Sequence, residues 1–256
     1  MPSATYNPMD LTGRHVLVTG ASAGIGRATA EMLARLGARL TVTGRDEERL
    51  SGTLARLEGE GHRAAAFDLT RLDEVAGWMK GLAAEGGPFD GVAHCAGIQS
   101  LRPIRIFSAE YFDEMMRSNL GASLAIAKGL RQKGVRAERS SLVFVSSTAA
   151  EIAAPGNVVY AASKGGMLSA TRGLAMELLS DGIRVNAVVP SVIETDLIER
   201  AKATLTAEQY EAMVGRQPLG AGRPEDVAHA IAFLLADTGR FITGASLVVD
   251  GGLTMV

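Results

Sequence analysis

Seven short apolar runs recur along the 256 residues and alternate with longer stretches of helical spacing. Several of these runs are apolar almost throughout, as are strands that are buried on both faces of a parallel sheet. The alternation predicts an α/β fold with one doubly wound parallel sheet of about seven strands and helices on both faces. The predicted strands are residues 14–19, 39–43, 63–68, 91–95, 141–146, 184–189 and 246–250.

The chain is predicted to form one domain over residues 1–256, because it contains no linker, repeat or low-complexity tract. Its least regular stretch is 190–224, with helical pieces expected at 195–202 and 207–214. We interpret this stretch as a substrate loop or lid, since long excursions in compact domains often have that role. The alternative is a helical cover over apolar sheet surface.

Composition narrows the class of protein. The chain carries 26 Lys and Arg against 28 Asp and Glu and has no basic block, so we expect no nucleic-acid partner. The one cysteine, Cys95, excludes an internal disulfide, which suits a reducing cytoplasm. We find no secretion signal and no apolar run long enough for a bilayer, so we expect a cytoplasmic protein without a membrane partner. No metal site is predicted.

The first predicted strand runs into a glycine-rich turn, TGASAGIG, and a helix is expected at 24–36 with Gly37 as its C-terminal signal. Glycines between a strand and a helix let the backbone approach a pyrophosphate, and the helix N-terminus adds N–H groups and partial positive charge. The turn therefore predicts a dinucleotide site. Its expected coenzyme-binding residues are Gly20, Ser22, Ala23, Gly24, Ile25 and Gly26.

The second predicted strand ends at Gly44 and Arg45, where an NAD-preferring site usually carries an acid. A guanidinium can bind a 2′-phosphate, so Arg45 favours NADP(H). The alternative is a solvated charge beside Asp46, the expected N-cap of the next helix, and NAD(H) stays the second candidate coenzyme because Glu47 is also close. Asp68, which ends the third strand, is expected either to bind the adenine amino group or to cap the following helix.

Tyr160 and Lys164 are four residues apart in a predicted helix, so both lie on one helix face. A tyrosine with a pKa of about 10 is a poor acid or base at neutral pH, and a neighbouring ammonium lowers that pKa. Ser147 ends the fifth predicted strand, at the sheet edge where ligands bind. Its hydroxyl there can hold a substrate oxygen, so the three residues together predict a catalytic site.

Eight short motifs run in order along the chain: TGASAGIG (19–26), Asp68-Leu69, AG (96–97), SNLGA (118–122), SS (146–147), YAASK (160–164), RVNAVVP (184–190) and VVDGG (248–252). In this order and spacing they resemble the short-chain dehydrogenase/reductase family, specifically its compact single-domain branch, and the pattern is similar to that of the 3-oxoacyl-(acyl carrier protein) reductases. The resemblance covers nearly the whole chain. It implies a Rossmann-type fold and an NAD(P)-dependent oxidoreductase.

The resemblance also implies a catalytic tetrad of Asn119, Ser147, Tyr160 and Lys164. In such a tetrad Tyr160 is the general acid in reduction and the base in oxidation, and Ser147 polarises the carbonyl. Lys164 holds the nicotinamide ribose and lowers the pKa of Tyr160. Asn119 orders a water that relays protons to Lys164.

Further coenzyme contacts follow from the same resemblance. The Ile193 backbone and the Thr195 hydroxyl are expected to hold the nicotinamide carboxamide, and Thr195 also fits the N-cap of the helix expected after it. Beyond the glycine-rich turn, the expected coenzyme-binding residues are Arg45, Asp68, Leu69, Ala96, Gly97, Tyr160, Lys164, Pro190, Ile193 and Thr195.

The chain departs from the family pattern at two places. His94 and Cys95 stand where the family usually has two asparagines, of which the first ties the central strands together. We expect His94 to replace that structural bond, with a catalytic role as the alternative. Cys95 is expected to be buried packing, because no base is adjacent. Ser191 replaces the usual glycine and either alters the substrate side of the nicotinamide pocket or occupies a tolerant backbone position.

We therefore predict an oxidoreductase that transfers a hydride between NADP(H) and a small-molecule carbonyl or secondary alcohol. The alternative is an NAD-dependent sugar or polyol dehydrogenase, whereas a non-enzymatic NADP(H) sensor is disfavoured because the full tetrad is present. The stretch 196–215 is also expected near the substrate, and three basic residues, Arg200, Lys202 and Arg216, lie near the rim in sequence. The expected substrate-pocket residues are Ser147, Ala149, Ile152, Asn157 and Val192.

The family resemblance further implies a homotetramer or homodimer. Its two-fold contact is expected to be a four-helix arrangement of the helices at about 108–132 and 157–180. The apolar C-terminal run SLVVDGGLTMV is either a second contact or a plain edge strand.

Overall fold

The computed structural model describes residues 7–152, 154–195, 198 and 206–255. In this part of the chain seven parallel strands form one sheet, in the order β3-β2-β1-β4-β5-β6-β7. The predicted doubly wound α/β sheet of about seven strands is confirmed. The strands are β1 (His15–Thr19), β2 (Arg39–Thr43), β3 (Arg63–Ala64), β4 (Phe89–His94), β5 (Arg136–Val145), β6 (Ile183–Pro190) and β7 (Ser246–Val249).

Helices connect the strands, as a parallel sheet requires. A π-helical turn, Arg117–Gly121, joins the fourth and fifth of the described α-helices into one continuous element. The described α-helices are α1 (Gly24–Arg35), α2 (Glu47–Leu54), α3 (Leu72–Gly86), α4 (Ala109–Met116), α5 (Ala122–Arg131), α6 (Val158–Glu177), α7 (Ala207–Gly215) and α8 (Pro224–Leu235). The helix expected at 195–202 lies for the most part outside the described residues.

Two strands differ from their predicted bounds by more than two residues. The ladder of β3 ends at Ala64, although the Ala65 and Phe67 amides still donate to the Val42 and Gly44 carbonyls at 2.9 Å each. The chain after Ala64 lies at the edge of the sheet, and only alternate residues there donate hydrogen bonds to the neighbouring chain. In contrast, β5 begins at Arg136, five residues before the predicted start, because its polar first half pairs with the sheet without an apolar pattern.

The sheet separates two apolar layers. Along β1, Leu17 belongs to the layer under α3, α5 and α6, while Val16 and Val18 belong to the layer under α1 and α8. The same alternation recurs in β5, where Leu142 and Val143 face opposite layers. Because both faces of these strands are buried, successive residues along them are apolar, and their sequences form continuous apolar runs.

Neither a membrane-spanning helix nor a metal-binding cluster is found in the described part of the chain: no helix there is long and apolar enough to cross a bilayer, and no three His, Cys, Asp or Glu side chains are grouped as ligands. The functional geometry instead lies at the carboxyl edge of the sheet. There the ends of β1, β2, β4, β5 and β6 meet the N-terminal ends of α1 and α6.

Candidate active site

The glycine-rich turn after β1 leaves no room for side chains. Gly20 has a φ of +65°, and a methyl group on it would lie 2.8 Å from the Ala96 Cα. A methyl group on Gly26 would overlap the Gly20 carbonyl, so α1 starts directly against the turn. A methyl group on Gly24 would lie 3.1 Å from Thr195 Cγ2, which brings the segment after β6 against the same turn. These glycines therefore let β1, the turn, α1 and the segment after β6 pack closely together.

The N-terminus of α1 is suited to an anion. Its N-cap residue, Ala23, has no side chain that accepts a hydrogen bond from the first turn, and that turn carries no acid. The first N–H groups of a helix have no partner within the helix and carry partial positive charge. Bare backbone and an uncapped helix therefore form a cradle that fits the pyrophosphate of a dinucleotide.

A cleft of about 350 Å³ opens from this cradle along the carboxyl edge of the sheet. Such a volume lies within the usual range for ligand pockets. Its predicted lining residues are Gly20, Ser22, Ala23, Gly24, Ile25, Gly26, Arg45, Asp68, Leu69, Ala96, Gly97 and Thr195. Seven further residues, which were not among the expected coenzyme-binding residues, also line it: Gly44, Arg49, Phe67, Thr70, Cys95, Ile98 and Ser118.

Two arginines stand at the far end of the cleft, one helical turn apart. Arg45 lies two residues after the end of β2 and is exposed, and Arg49 lies half-buried on α2. The nearby acid Asp46 is the N-cap of α2, as predicted, and its side chain accepts from the Arg49 amide at 3.0 Å. This end of the cleft therefore carries positive charge from Arg45 and Arg49, while the Asp46 carboxylate is bound to the helix end.

Asp68 lies at the mouth of the cleft but does not cap α3. Its Oδ1 accepts from the Thr70 amide at 3.0 Å and from the Thr70 hydroxyl at 2.8 Å, while the N-cap of α3 is Arg71. The capping alternative was wrong because the side chain closes a local turn two residues on. Burial alone would raise the pKa of Asp68, but the bonds from Thr70 and the charge of Arg45 bring it below its usual value.

Tyr160 and Ser147 share a hydrogen bond between their hydroxyl groups. Ser147 lies two residues after the end of β5 and accepts from the Ala149 amide at 3.2 Å, which leaves its own proton free to be donated. Tyr160 is 8% exposed and packs against Tyr111, Met115 and Val159. Burial raises the pKa of Tyr160, and the bond with Ser147 only opposes that rise.

Lys164 lies one helical turn below Tyr160, with its Nζ 5.8 Å from the centre of the tyrosine ring. The ammonium donates to the Val145 carbonyl at 2.8 Å, and burial lowers the pKa of Lys164 to about 8. The spacing prediction is confirmed, but the predicted lowering of the Tyr160 pKa by Lys164 is not found. Desolvation dominates at Tyr160 because its ring is enclosed by apolar side chains.

Asn119 is fully buried in the π-helical turn. Its side chain is paired on both sides with the backbone of Ile98: Oδ1 accepts from the amide at 2.8 Å, and Nδ2 donates to the carbonyl at 3.0 Å. Nδ2 also donates to Ser163 at 2.9 Å, and the Asn119 carbonyl accepts from Ser123 at 2.6 Å. Asn119 therefore fixes the wall of the cleft that precedes α4 to the helix that carries Tyr160.

His94 is fully buried at the end of β4 and ties two central strands together. Its Nδ1 lies 2.8 Å from the hydroxyl of Thr19 on β1. The Thr19 hydroxyl also accepts from the Ala96 amide at 3.2 Å. The contact is of the structural kind expected, and burial lowers the pKa of His94 to about 3.

Cys95 is placed as apolar packing, although its backbone also reaches the cleft. Its thiol lies 3.9 Å from the Thr29 hydroxyl, and burial raises its pKa to about 12. A thiol in this state is a poor nucleophile.

The segment after β6 is held by a residue that the sequence did not indicate. Gln217 is 3% exposed; it accepts from the Val192 amide at 2.8 Å and donates to the Gly220 carbonyl at 2.6 Å. Ile193 pairs with Gly222 as an isolated parallel bridge. Ser191 donates to the Asp250 carbonyl at 3.1 Å, which gives this departure from the family pattern a structural contact.

The remaining predicted residues divide into two groups. Pro190 and Ile193 are buried and do not line the cleft. Tyr160 and Lys164 do not line it either, but Lys164 adjoins it, because a methyl group on the lining residue Gly97 would lie 3.3 Å from Lys164 Nζ. Ala149, Ile152, Asn157 and Val192 lie on the loops that follow β5 and β6. Arg200 and Lys202 lie outside the described residues.

Known proteins match this chain over nearly its whole length. A family model described as enoyl-(acyl carrier protein) reductase matches residues 20–254. The chain is 34% identical to the gluconate 5-dehydrogenase of Gluconobacter oxydans over 248 residues, which are 96% of each protein. It is also 34% identical to the 3-oxoacyl-(acyl-carrier-protein) reductase of Rickettsia conorii, over 97% of this chain and 100% of the relative.

Solved structures have the same fold. The gluconate 5-dehydrogenase of Burkholderia cenocepacia, solved in complex with NADP and tartrate, superposes with a TM-score of 0.89. It is 29% identical in sequence, and the match covers 97% of this chain and 98% of that one.

Proposed function

Because the chain belongs to the short-chain dehydrogenase/reductase family and is therefore an oxidoreductase, we propose that it uses NADP(H) to interconvert a carbonyl and a secondary alcohol, with Tyr160 as the acid and base. The observation that carries this proposal is the hydrogen-bonded pair of Tyr160 and Ser147 beside a cleft with an uncapped helix N-terminus. The substrate is a small molecule.

The coenzyme would be held by the cleft residues already described. The glycine-rich turn and the α1 N-terminus would receive the pyrophosphate. Arg45, with Arg49 beside it, would bind a 2′-phosphate. The nearest acid, Asp46, accepts from the Arg49 amide at the start of α2, so it would not bind the 2′-hydroxyl of NAD(H). Asp68 would face the adenine, and Ile193 and Thr195 the carboxamide. When bound, the nicotinamide supplies or accepts the hydride.

The side chains of this protein would move the proton and hold the substrate oxygen. In reduction the Tyr160 hydroxyl donates its proton to the carbonyl oxygen, and Ser147 donates a hydrogen bond to the same oxygen. A raised pKa keeps Tyr160 protonated at neutral pH, which suits the acid role. In oxidation the phenolate takes the proton back.

Lys164 and Asn119 would return the proton to Tyr160. With a pKa of about 8, the Lys164 ammonium is close to the range in which it can exchange a proton at neutral pH. The Asn119 carbonyl has two lone pairs, of which the Ser123 hydroxyl uses one, so the other can accept from a relaying water.

Replacement of Tyr160 by Phe tests the mechanism. We expect the turnover number to fall by about 10²- to 10⁴-fold, since the acid and base group is lost, with NADPH binding retained. Tyr111→Phe is the matched control, because Tyr111 packs in the same cluster and its hydroxyl donates only to the Ser100 carbonyl at 2.7 Å. Full turnover by Tyr160→Phe on the best substrate would refute the mechanism.

We also propose that the protein is cytoplasmic, forms one domain over residues 1–256 and assembles as a homotetramer or homodimer. The helices α4 to α6 are proposed as the two-fold contact, and exposed apolar side chains such as Phe112, Leu124 and Val158 support it. Within this domain, 190–224 is proposed as the substrate loop. A light-scattering mass of one chain at micromolar concentration would overturn the assembly.

A further inference from the structure

Two carbonyl groups of the glycine-rich turn, those of Ala21 and Ser22, are held by side chains from two different helices. The Thr53 hydroxyl on α2 donates to the Ala21 carbonyl at 2.9 Å. The Arg27 guanidinium on α1 donates to the Ser22 carbonyl at 2.5 Å and to the Thr53 hydroxyl at 3.3 Å. Thr53 is fully buried and Arg27 is half-buried. These three hydrogen bonds form what we call the turn lock.

The turn lock determines where the neighbouring N–H groups point. In a planar trans peptide the carbonyl and the N–H point in opposite directions. Because the Ala21 and Ser22 carbonyls are bound from within the protein, the N–H groups of the same two peptides, those of Ser22 and Ala23, lie on the other side of the turn. Both residues line the cleft, and neither amide donates to any residue that the structure describes. Two donors are therefore available to a ligand in the cleft, just before the first turn of α1.

These two donors lie at the end of the cleft that carries Arg45. A methyl group on Gly44, the residue before Arg45, would lie 3.3 Å from the Ser22 Oγ. The Thr53 hydroxyl also lies 3.2 Å from the carbonyl of Arg49, one turn earlier on α2. The turn lock therefore ties the glycine-rich turn to the helix that follows Arg45 and carries Arg49.

We propose that Arg27 and Thr53 are positioning residues that favour NADP(H) over NAD(H). Through the turn lock they hold the two available N–H groups beside Arg45, where these donors bind the 2′-phosphate in charge-assisted hydrogen bonds. The pyrophosphate depends less on the lock, because the N–H groups of α1 that receive it belong to peptides fixed by the helix itself. This inference rests on the proposed function and adds the residues that set its coenzyme preference.

The turn lock is tested by measuring Kd for NADPH and for NADH in variants, with coenzyme fluorescence as the signal. Thr53→Val removes the hydroxyl, keeps nearly the same shape and changes no charge. We expect NADPH binding to weaken by about fivefold or more, the scale of one buried hydrogen bond, and NADH binding to change by less than about twofold. Thr53→Ser restores a hydroxyl and should restore the natural ratio of the two Kd values.

A buried threonine elsewhere is the matched control for this change. Thr171 is fully buried on α6, and its hydroxyl donates to the Met167 carbonyl at 2.8 Å. Thr171→Val loses one buried hydrogen bond as Thr53→Val does, but it does not touch the turn. It should therefore keep the natural ratio.

Arg27 gives an independent test of the same lock. Arg27→Met should weaken NADPH binding by about tenfold, because both bonds of the guanidinium are lost. Arg27→Lys keeps the positive charge but lacks the planar fork that reaches two acceptors, so it should also lower the preference for NADPH. Arg39→Met is the control: Arg39 is half-buried at the start of β2 and donates to the Gly86 carbonyl at 2.6 Å, away from the cleft.

Urea unfolding without coenzyme shows whether each variant has folded, and Arg27→Lys carries the test if Thr53→Val has not. Equal weakening of NADPH and NADH binding would indicate a merely structural role and overturn the inference, as would unchanged binding of both. The proposed function would stand in either case. Binding of neither coenzyme by the natural chain would overturn the proposed function, and the inference with it.

Discussion

His94 illustrates how one residue that departs from a family pattern can still fill its place. The Thr19 hydroxyl accepts from the Ala96 amide and shares a hydrogen bond with His94 Nδ1. The other ring nitrogen of His94, Nε2, is buried and has no partner among the described residues. The hydrogen bond at Nδ1 is therefore the useful part of this side chain, and it holds the floor of the coenzyme cleft through Thr19 and Ala96.

Replacing His94 tests this hydrogen bond. His94→Asn keeps a hydrogen-bonding group for Thr19, and we expect its Kd for NADPH to stay within about threefold of the natural value. His94→Leu removes the hydrogen bond and should weaken binding by about tenfold, the usual scale of one buried hydrogen bond. Fluorescence titration measures both, and equal binding by the two variants would show that the Thr19 contact does not position the cleft.

Tyr160 gives a pH dependence whose sign follows from its burial. Because burial raises the pKa of Tyr160, the phenolate needed for oxidation is scarce at neutral pH and increases as the pH rises. We expect kcat/KM for alcohol oxidation to rise steadily above about pH 7, and kcat/KM for carbonyl reduction to change little there. An oxidation rate independent of pH up to about pH 9 would contradict the acid and base role.

The sequence predicted the site residues whose positions depend on local spacing, and it missed those whose positions depend on how distant elements pack. Tyr160 and Lys164 are one helical turn apart, so their common face follows from the numbering alone. Arg49 and Gln217 carry no motif, because the cleft reaches them only after α2 and the chain beyond α7 are packed. The sequence does contain one signal for Arg49, because it is a second arginine one turn after Arg45. No sequence signal points to Gln217.

The element that most defines the site is the unit of β1, turn and α1. Its glycines differ in their surroundings from a glycine in the middle of an exposed helix face. A methyl group on Gly26 would overlap backbone, whereas a methyl group on Gly77, in the middle of α3, would meet nothing within 4 Å. The two positions therefore form a matched pair for the same substitution.

Gly26→Ala should push α1 away from the turn and abolish tight NADPH binding, since the backbone of Gly20 cannot yield. Gly77→Ala should instead raise the free energy of unfolding by about 0.5–1 kcal/mol, because alanine is the better helix former. Urea unfolding and NADPH titration distinguish them. Undiminished NADPH binding by Gly26→Ala would show that the close approach is dispensable.

Elements with apolar or glycine signals were well predicted, whereas the end of β3 and the start of β5 were not. The strands β1, β2, β4 and β6 lie within two residues of their predicted bounds because both faces are buried. At the edge of the sheet β3 is shorter than predicted, since burial no longer imposes regular pairing. The start of β5 was missed because its residues are polar.

At the scale of the whole molecule, two buried histidines make stability depend on pH. Burial lowers the pKa of His15 to about 4 and that of His94 to about 3, below the ordinary 6.5 of the unfolded chain. Above that value both states are neutral and the stability is complete. As the pH falls below it, only the unfolded chain takes up protons, so the stability decreases.

We expect the free energy of unfolding to fall by about 1.4 kcal/mol per pH unit for each histidine between about pH 6 and pH 5. His15→Gln should reduce this slope by about half, with His94 left to supply the rest. Urea unfolding at several pH values measures the slope. An unchanged slope in the variant would show that His15 does not titrate on unfolding.

The central claim is that this fold presents a cleft for NADP(H), and it is tested most directly by titrating the protein with NADPH and NADH and following coenzyme fluorescence. We expect NADPH to bind more tightly than NADH, and Arg45→Asp to weaken NADPH binding while sparing NADH. Arg139→Asp, an exposed arginine at the opposite edge of the sheet, should change neither. Tighter binding of NADH would contradict the coenzyme assignment, and binding of neither would contradict the enzymatic account itself.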